Sequence, residues 1–446
     1  MSRPALVWPR AASALIALLA LAAVAACGGD GEEETSGLSD SSLRPDAGAP
    51  IVVPAGKPIV IGISAPLTGL DSGVGIEDRD AVLAAIGRWK AAHGDLIKGH
   101  AVDVRAEDDG CTEPDIAAQA AERLLRTEGL VGVLGPNCSA GARAAIPIYQ
   151  DAGIVAISGS ATRTDLTTTQ PEGGFFFRTA YRNDLQGTLI GLFASVQLRG
   201  ESAYIIDDGE DYGVDLADAA QQAMGESDVT VTRESVRRGT VDFTDLAEKI
   251  AGDDPSFVGF AGFNPEAALL YRQLRDAGYT GAFGAGDAAA SARDFIDPVG
   301  AAEAEGVLFS GCPLDLPADF LADFSRRHGS NPEASPFVGQ YVDAVAILLD
   351  SVASVAVEQA DGSLSIDAAQ LREAVRAANL PHGTSGPVAF DADGDRVPEP
   401  GMQVADVIGR AIRTQDLSIF LDVGLVPCTV QGGNFVNVVA NGTNSQ

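Results

Sequence analysis

Residues 130 to 166 read as strand, turn, helix, strand, turn, a succession that finds a stable home inside a parallel α/β sheet. Leu130 to Leu134 is a short continuous apolar run, as expected of a strand covered on both faces. Ser139 opens a helix running to about Ala152, and Gly153 stands where a left-handed residue would stop it. Ile154 to Ser158 is the next strand, with Gly159-Ser160-Ala161-Thr162 at its carboxyl end. Two hydroxyl-bearing turns therefore lie side by side above neighbouring strands, in the crevice where open parallel sheets bind ligands. Amides at the helix start, with the Ser139, Ser160 and Thr162 hydroxyls, are expected to cradle a small anion such as a carboxylate. Any one of these hydroxyls is explained as an ordinary helix cap; their recurrence at successive strand ends is what points to a ligand.

The same rhythm surrounds this unit. Before it come strand Ile59–Ser64, helix Glu77–His93, strand Ala101–Asp108 and helix Asp115–Glu128. After it come helix Asn183–Gln197, strand Ala203–Asp207, helix Tyr212–Met224, strand Val229–Ser235, helix Phe243–Ala251, strand Phe257–Phe260, helix Glu266–Ala277 and strand Ala282–Gly284. The repetition predicts two similar α/β lobes rather than one very large sheet. Beyond the apolar Gly306–Ser310, helices are expected over Ala318–His328, Phe337 to about Val357 and Asp367–Ala378, then a strand at Val388–Phe390. Ile419–Val423 and Phe435–Val439 read as late strands.

The chain opens on a targeting pattern: Arg3 and Arg10, the apolar Ala11–Ala23, then Val24-Ala25-Ala26 before Cys27. This resembles a bacterial lipoprotein signal over residues 1–26, whose removal leaves Cys27 as an acylated N-terminus. Residues 27–56, rich in Gly, Ser, Glu and Pro, read as an unstructured tether. No later stretch reads as membrane-spanning, so the body is expected to be exported and to meet the membrane only through lipid. The net charge is −32, and the basic patch that nucleic-acid binding requires is not visible in the sequence. With Cys27 taken by lipid, Cys111, Cys138, Cys312 and Cys428 remain, an even number suited to an oxidising compartment. The expected pairs are Cys111–Cys138, which would pin Ser139 in place, and Cys312–Cys428; the spacing matches no metal site.

The ordered series Ala65-Pro66-Leu67-Thr68-Gly69, Asp108-Asp109-Gly110-Cys111-Thr112-Glu113-Pro114, Gly135-Pro136-Asn137-Cys138-Ser139, Ile157-Ser158-Gly159-Ser160-Ala161-Thr162, Phe177-Arg178-Thr179-Ala180, Asp211-Tyr212-Gly213, Gly262-Phe263-Asn264-Pro265-Glu266 and Gly386-Pro387-Val388-Ala389-Phe390-Asp391 resembles type I periplasmic binding proteins. The likeness is to the leucine/isoleucine/valine-binding and related amide-, urea- and aromatic-acid-binding proteins. It implies two Rossmann-like lobes, each with a central parallel sheet, joined by three crossovers near Thr179, Ser310 and Ser385. On that plan, residues 57–180 with 311–385 form the first lobe, and 181–310 with 386–446 the second. The resemblance implies that Ser139, Ala161 and Thr162 hold an α-carboxylate and that Tyr212 closes from the second lobe. It also implies that Phe263 and Asn264 line the cleft, and that Asp287 receives an α-ammonium. Val74 stands where the family has an aromatic wall, which reshapes the side-chain pocket. Cys111 and Cys138 match the family's cysteine pair, whereas Cys312 and Cys428 fall outside its core pattern.

The implied function is a monomeric, lipid-anchored solute-binding protein that serves the permease of an ABC importer. Its ligand would be an amino acid or, failing that, an amide, urea or aromatic acid, with no cofactor. A ligand sensor of the same fold is the alternative. A serine hydrolase with Ser139 as nucleophile and His328 or His382 as base is more remote, because Asn137 replaces the first glycine of G-x-S-x-G.

Overall fold

The structure, a computed structural model, describes residues 48–312, 316–423 and 425–438; Cys27 and the targeting segment lie outside them. The first lobe is built on a six-stranded sheet in the order Leu96–Ile97, His100–Asp108, Ile59–Ala65, Leu130–Leu134, Val155–Ser158, Phe176–Arg178. All neighbours run parallel except the short Leu96–Ile97 edge. Every residue of Ile59–Ala65, Leu130–Leu134 and Val155–Ser158 is buried, which is why these segments carry continuous apolar runs and no alternation. Helix Ser139–Ala152 ends at Gly153 with φ 62°, as the sequence predicts. Helix Val338–Val355 packs directly on the sheet: a Cβ on Gly132 would lie 2.8 Å from Leu348. This helix is long and apolar enough to cross a membrane, contrary to the expectation that no later stretch is, but two thirds of it (67%) is buried inside the lobe.

The second lobe has seven strands, ordered Asn434–Asn437, Cys428–Gln431, Leu308–Phe309, Ala282–Ala285, Phe257–Ala261, Ser202–Asp207, Thr230–Ser235. The last five are parallel, and the C-terminal hairpin extends them antiparallel. The chain leaves the first core after Phe177, returns to it between Phe309 and Phe320, and leaves again after Phe390. Arg396 ties two of these passages, donating from Nη1 to the Thr179 carbonyl (2.9 Å) and the Ser385 Oγ (2.8 Å). At the remaining passage, Ser310 Oγ donates to Gln186 Oε1 at 2.6 Å.

Four expectations are corrected. Ile51–Val53, inside the supposed tether, is a strand paired with Leu364–Ile366, because Ile51 and Val53 alternate inward with Val52 outward. Ile419–Val423 is not a strand: Ser418–Asp422 is a helical turn whose Ile419 and Phe420 join an apolar cluster with Val404, Val407 and Ala411 of the unforeseen helix Val404–Thr414. An apolar run this short satisfies either period. Helix one begins at Ser72 rather than Glu77, and Asn183–Gln197 divides into an α-helix to Leu192 and a π-turn. Both expected disulfides, Cys111–Cys138 and Cys312–Cys428, are present.

Candidate functional site

Strand ends set the two hydroxyl turns side by side. Asn137 is fixed from below: its N–H donates to Asp109 Oδ2, and its Nδ2 donates to Asp78 Oδ2 at 2.6 Å. Ser158 Oγ donates to the Pro136 carbonyl and accepts from the Ala161 N–H at 2.9 Å, so the first turn shapes the second. The Arg163 N–H donates to Ser139 Oγ at 3.2 Å. Ser139 and the 160–163 turn are therefore in contact. Arg178, wholly buried, gathers the Ala161, Arg163 and Thr164 carbonyls from behind. Turning these carbonyls inward leaves the opposite side of the turn to other partners.

The three hydroxyls differ in what remains available. Ser160 Oγ is committed to the Asn137 carbonyl (2.8 Å) and the Tyr341 hydroxyl (3.0 Å), which makes it a brace more than a free donor. Thr162 Oγ1 is buried with no hydrogen-bond partner among the described residues, an arrangement that costs about 1–3 kcal/mol unless something else bonds it.

A narrow cavity of about 30 Å³ lies between the lobes. Its wall includes Asn137, Ser139, Ser160, Val74, Asp71 and Phe337 from the first lobe and Tyr212, Phe263 and Ala288 from the second. The Tyr212 and Phe263 rings sit 5.0 Å apart. A wider space of about 330 Å³ adjoins it, sharing Asp71, Val74, Phe263 and Ala288 and adding Asn264 and Arg293. Val74 thus lines both spaces.

Asp287 is placed differently. It lines a neighbouring cavity with Tyr181, Gly311 and Gln340, and Phe337 belongs to both cavities. Its oxygens accept from the Tyr212 hydroxyl (2.9 Å) and Gln186 Nε2 (2.9 Å). The Tyr212 hydroxyl reaches it across Gly286, where a Cβ would stand 2.1 Å from that oxygen. Burial pushes the Asp287 carboxyl up to about 6, against the pull of these bonds. Of the expected residues, the wall thus brings together Ser139, Ser160, Tyr212 and Phe263. Ala161 and Thr162 are wholly buried and do not line it, Asn264 lines the outer chamber, and Asp287 lies next door.

Polar contacts cross the gap. Arg238 of the second lobe pairs with Asp71 and Glu266 and stacks 4.7 Å over the Phe263 ring. Asp215 accepts from the Thr164 N–H and Oγ1, and Arg143 bonds Asp211. Asp71 and Arg238 escaped the sequence reading because no motif marks either one. His328 bonds Asp80 rather than Ser139, and His382 is exposed, so neither histidine is in place to act as a base.

Comparison with known proteins gives one consistent answer. The family model described as "Periplasmic binding protein" matches residues 58–411. An amino acid binding protein of Pseudomonas aeruginosa is 32% identical over 279 residues, covering 62% of this chain and 73% of that protein. The leucine-, isoleucine-, valine-, threonine- and alanine-binding protein of the same organism is 26% identical over 349 residues, covering 76% and 88%. The leucine-binding protein LivK of Thermotoga maritima superposes with a TM-score of 0.68 at 24% identity, covering 85% of this chain and 97% of that one.

Proposed function

The chain belongs to the periplasmic binding protein family, whose members bind solutes and are not enzymes, and from that premise we propose that it is the extracytoplasmic receptor of an ABC importer. It is anchored by lipid at Cys27 and acts as a monomer on a membrane permease. Its ligand is a small carboxylate-bearing solute, with an amino acid first in line. Ser139 and the amides at the start of its helix hold the carboxylate, joined by Thr162 Oγ1 once the ligand offers it a partner. Tyr212 and Phe263 close over the body of the ligand, and Asn264 faces longer ligands that enter the outer chamber. Asp287 fixes Tyr212 through its hydroxyl. The observation that carries this reading is the contact of Ser139 with the 160–163 turn at a cavity walled by both lobes.

A thermal-shift screen of amino acids and small organic acids tests it. A true ligand at about 1,000 times its Kd stabilises the native state by about 4 kcal/mol. Ser139→Ala should abolish most of that shift. A shift that survives Ser139→Ala, or none with any carboxylate, would overturn the reading.

A further inference from the structure

Asp287 begins the short turn Asp287–Ala289 that follows strand Ala282–Ala285, and its two oxygens are held differently. Oδ1 accepts from the Tyr212 hydroxyl (2.9 Å) and from the Ala288 N–H (2.8 Å). Oδ2 accepts only from Gln186 Nε2 among the described residues, at 2.9 Å, so it keeps a lone pair for a second donor. Gln186, on helix Asn183–Leu192, is wholly buried, and its amide can face only one way. Its Oε1 accepts from Ser310 Oγ at 2.6 Å, and the reversed amide would set that oxygen against the Asp287 carboxylate. Ser310 is also wholly buried, and it stands where the chain leaves strand Leu308–Phe309 to pass between the lobes. No cation pairs with Asp287 among the described residues. The titratable groups facing it are the Tyr212 and Tyr181 hydroxyls, which burial keeps protonated well past neutral pH, while the adjacent Cys312 is bonded to Cys428. Burial pushes the Asp287 carboxyl up to about 6, and each hydrogen bond donated to it pulls the other way.

From this arrangement we infer that Gln186 is the positioning residue of the ammonium subsite. Turned by Ser310, it aims Asp287 and thereby sets how strongly the cleft prefers an amino acid to the matching acid without nitrogen. The inference rests on the proposed carboxylate receptor and on Asp287 meeting the ligand's ammonium, as the family resemblance implies. The ammonium donates to the remaining lone pair of Asp287 Oδ2, beside the Gln186 amide. Gln186 lines neither the cavity at Ser139 nor the one at Asp287, so it acts through Asp287 and not on the ligand. Its donated N–H favours the ionised carboxylate, the form that attracts a cation. A nitrogen-free acid makes no use of that charge, so its binding does not depend on Gln186. A merely structural Gln186 would instead affect every ligand alike.

The test is calorimetric titration of the intact protein, from about pH 5 to about pH 8, with the twenty common amino acids and, for each that binds, with the acid lacking its α-amino group. In the parent, amino-acid affinity should fall as pH drops through about 6, where Asp287 takes up a proton. Gln186→Leu should weaken the amino acid about tenfold or more and move the nitrogen-free acid less than about twofold. It should also bring on the acid-side fall about one pH unit higher, because the lost donor favoured the ionised form. Ser310→Ala, which keeps the donor but lets the amide turn, should show the same pattern at smaller size. Asp287→Asn should erase both the preference and the pH dependence. Thermal unfolding of each variant without ligand confirms that it folds, and Ser310→Ala carries the test if Gln186→Leu does not fold. Equal losses for both ligands, or an unmoved pH profile, would overturn the inference by reducing Gln186 to a structural part. An unchanged preference in Asp287→Asn would overturn it too. Binding of nitrogen-free acids and of no amino acid would overturn the inference but leave the carboxylate receptor standing. Binding of neither kind would overturn both.

Discussion

Arg178 and Asp395, from distant parts of the chain, form an ion pair with Nε–Oδ1 2.6 Å apart in which neither side chain keeps any exposed surface. Arg178 also bonds three carbonyls of the second hydroxyl turn, and Asp395 also pairs with Arg182. One buried pair thus joins the 160–164 turn to the segment that passes between the lobes.

Arg178→Met should therefore cost about 3–5 kcal/mol of stability, the penalty for leaving a buried charge with part of its partnership gone. Arg178→Lys should recover little, because one ammonium cannot serve Asp395 and the carbonyls on two sides. Urea unfolding reads the stability. Ligand titration should show the affinity falling further than stability alone explains, since the turn loses its support.

Asp78 gives a pH dependence of defined sign. Burial pushes its carboxyl up to about 8, although Ser335 Oγ and Asn137 Nδ2 both donate to it. The native state keeps a proton that the unfolded chain releases near pH 4. The stability tied to that proton is therefore complete below about pH 4 and is lost as pH rises toward about 8. Asp78→Asn, which never ionises, should be more stable than the parent by about 1–3 kcal/mol at pH 8. The two proteins should converge near pH 4 in thermal unfolding across that range.

Thr162→Val separates ligand binding from folding. With Oγ1 buried and unbonded, the isosteric methyl removes a polar group that has no partner among the described residues, so ligand-free stability should hold or rise slightly. If Oγ1 meets the ligand's carboxylate, affinity should fall by about 1.5–3 kcal/mol, the worth of a hydrogen bond to a charged group. A change in melting temperature without a change in Kd would rule out that contact.

Removing the Cys111–Cys138 bridge should act on both. The bond closes a loop with a sequence separation of 27, and chain entropy alone assigns it about 3–4 kcal/mol. Cys138 immediately precedes Ser139 at the start of the helix. The double Cys→Ser variant should unfold at lower denaturant and bind more weakly than its stability change explains, read by parallel urea and ligand titrations.

The parallel sheets were legible because buried strands must be apolar throughout, and Gly153 marks its helix end by local backbone chemistry alone. The Ser139 turn was legible for the same reason: helix start and strand end are neighbours in sequence. Ser418–Asp422 was misread because five residues cannot reveal a period, and its partner helix Val404–Thr414 was itself unseen. Asp71 and Arg238 were invisible because each becomes informative only when the lobes bring the two together. The role expected of Asp287 came from the family resemblance alone, and its bond to the Tyr212 hydroxyl, which depends on Gly286 admitting that oxygen, has no local signal in the sequence.

Closure itself should be tunable at a site that touches no ligand. Asp215 of the second lobe accepts from both the N–H and the hydroxyl of Thr164 in the first, at 2.8 and 3.0 Å. Thr164 lies just beyond the turn that carries Thr162, and its carbonyl is held by Arg178, so the contact bears on a rigid part of the first lobe. These bonds exist only when the lobes meet. Asp215→Ala removes them from the closed state and leaves the open state untouched, shifting the balance by about 1–3 kcal/mol. The expected result is a fall in affinity of similar size for every ligand, whatever its chemistry, because each must now supply the lost closing energy. Small-angle scattering should show the ligand-free variant with a larger radius of gyration and the saturated variant matching the parent. Selective weakening of one ligand, or an unchanged ligand-free radius together with unchanged affinity, would show that Thr164 and Asp215 meet without governing closure.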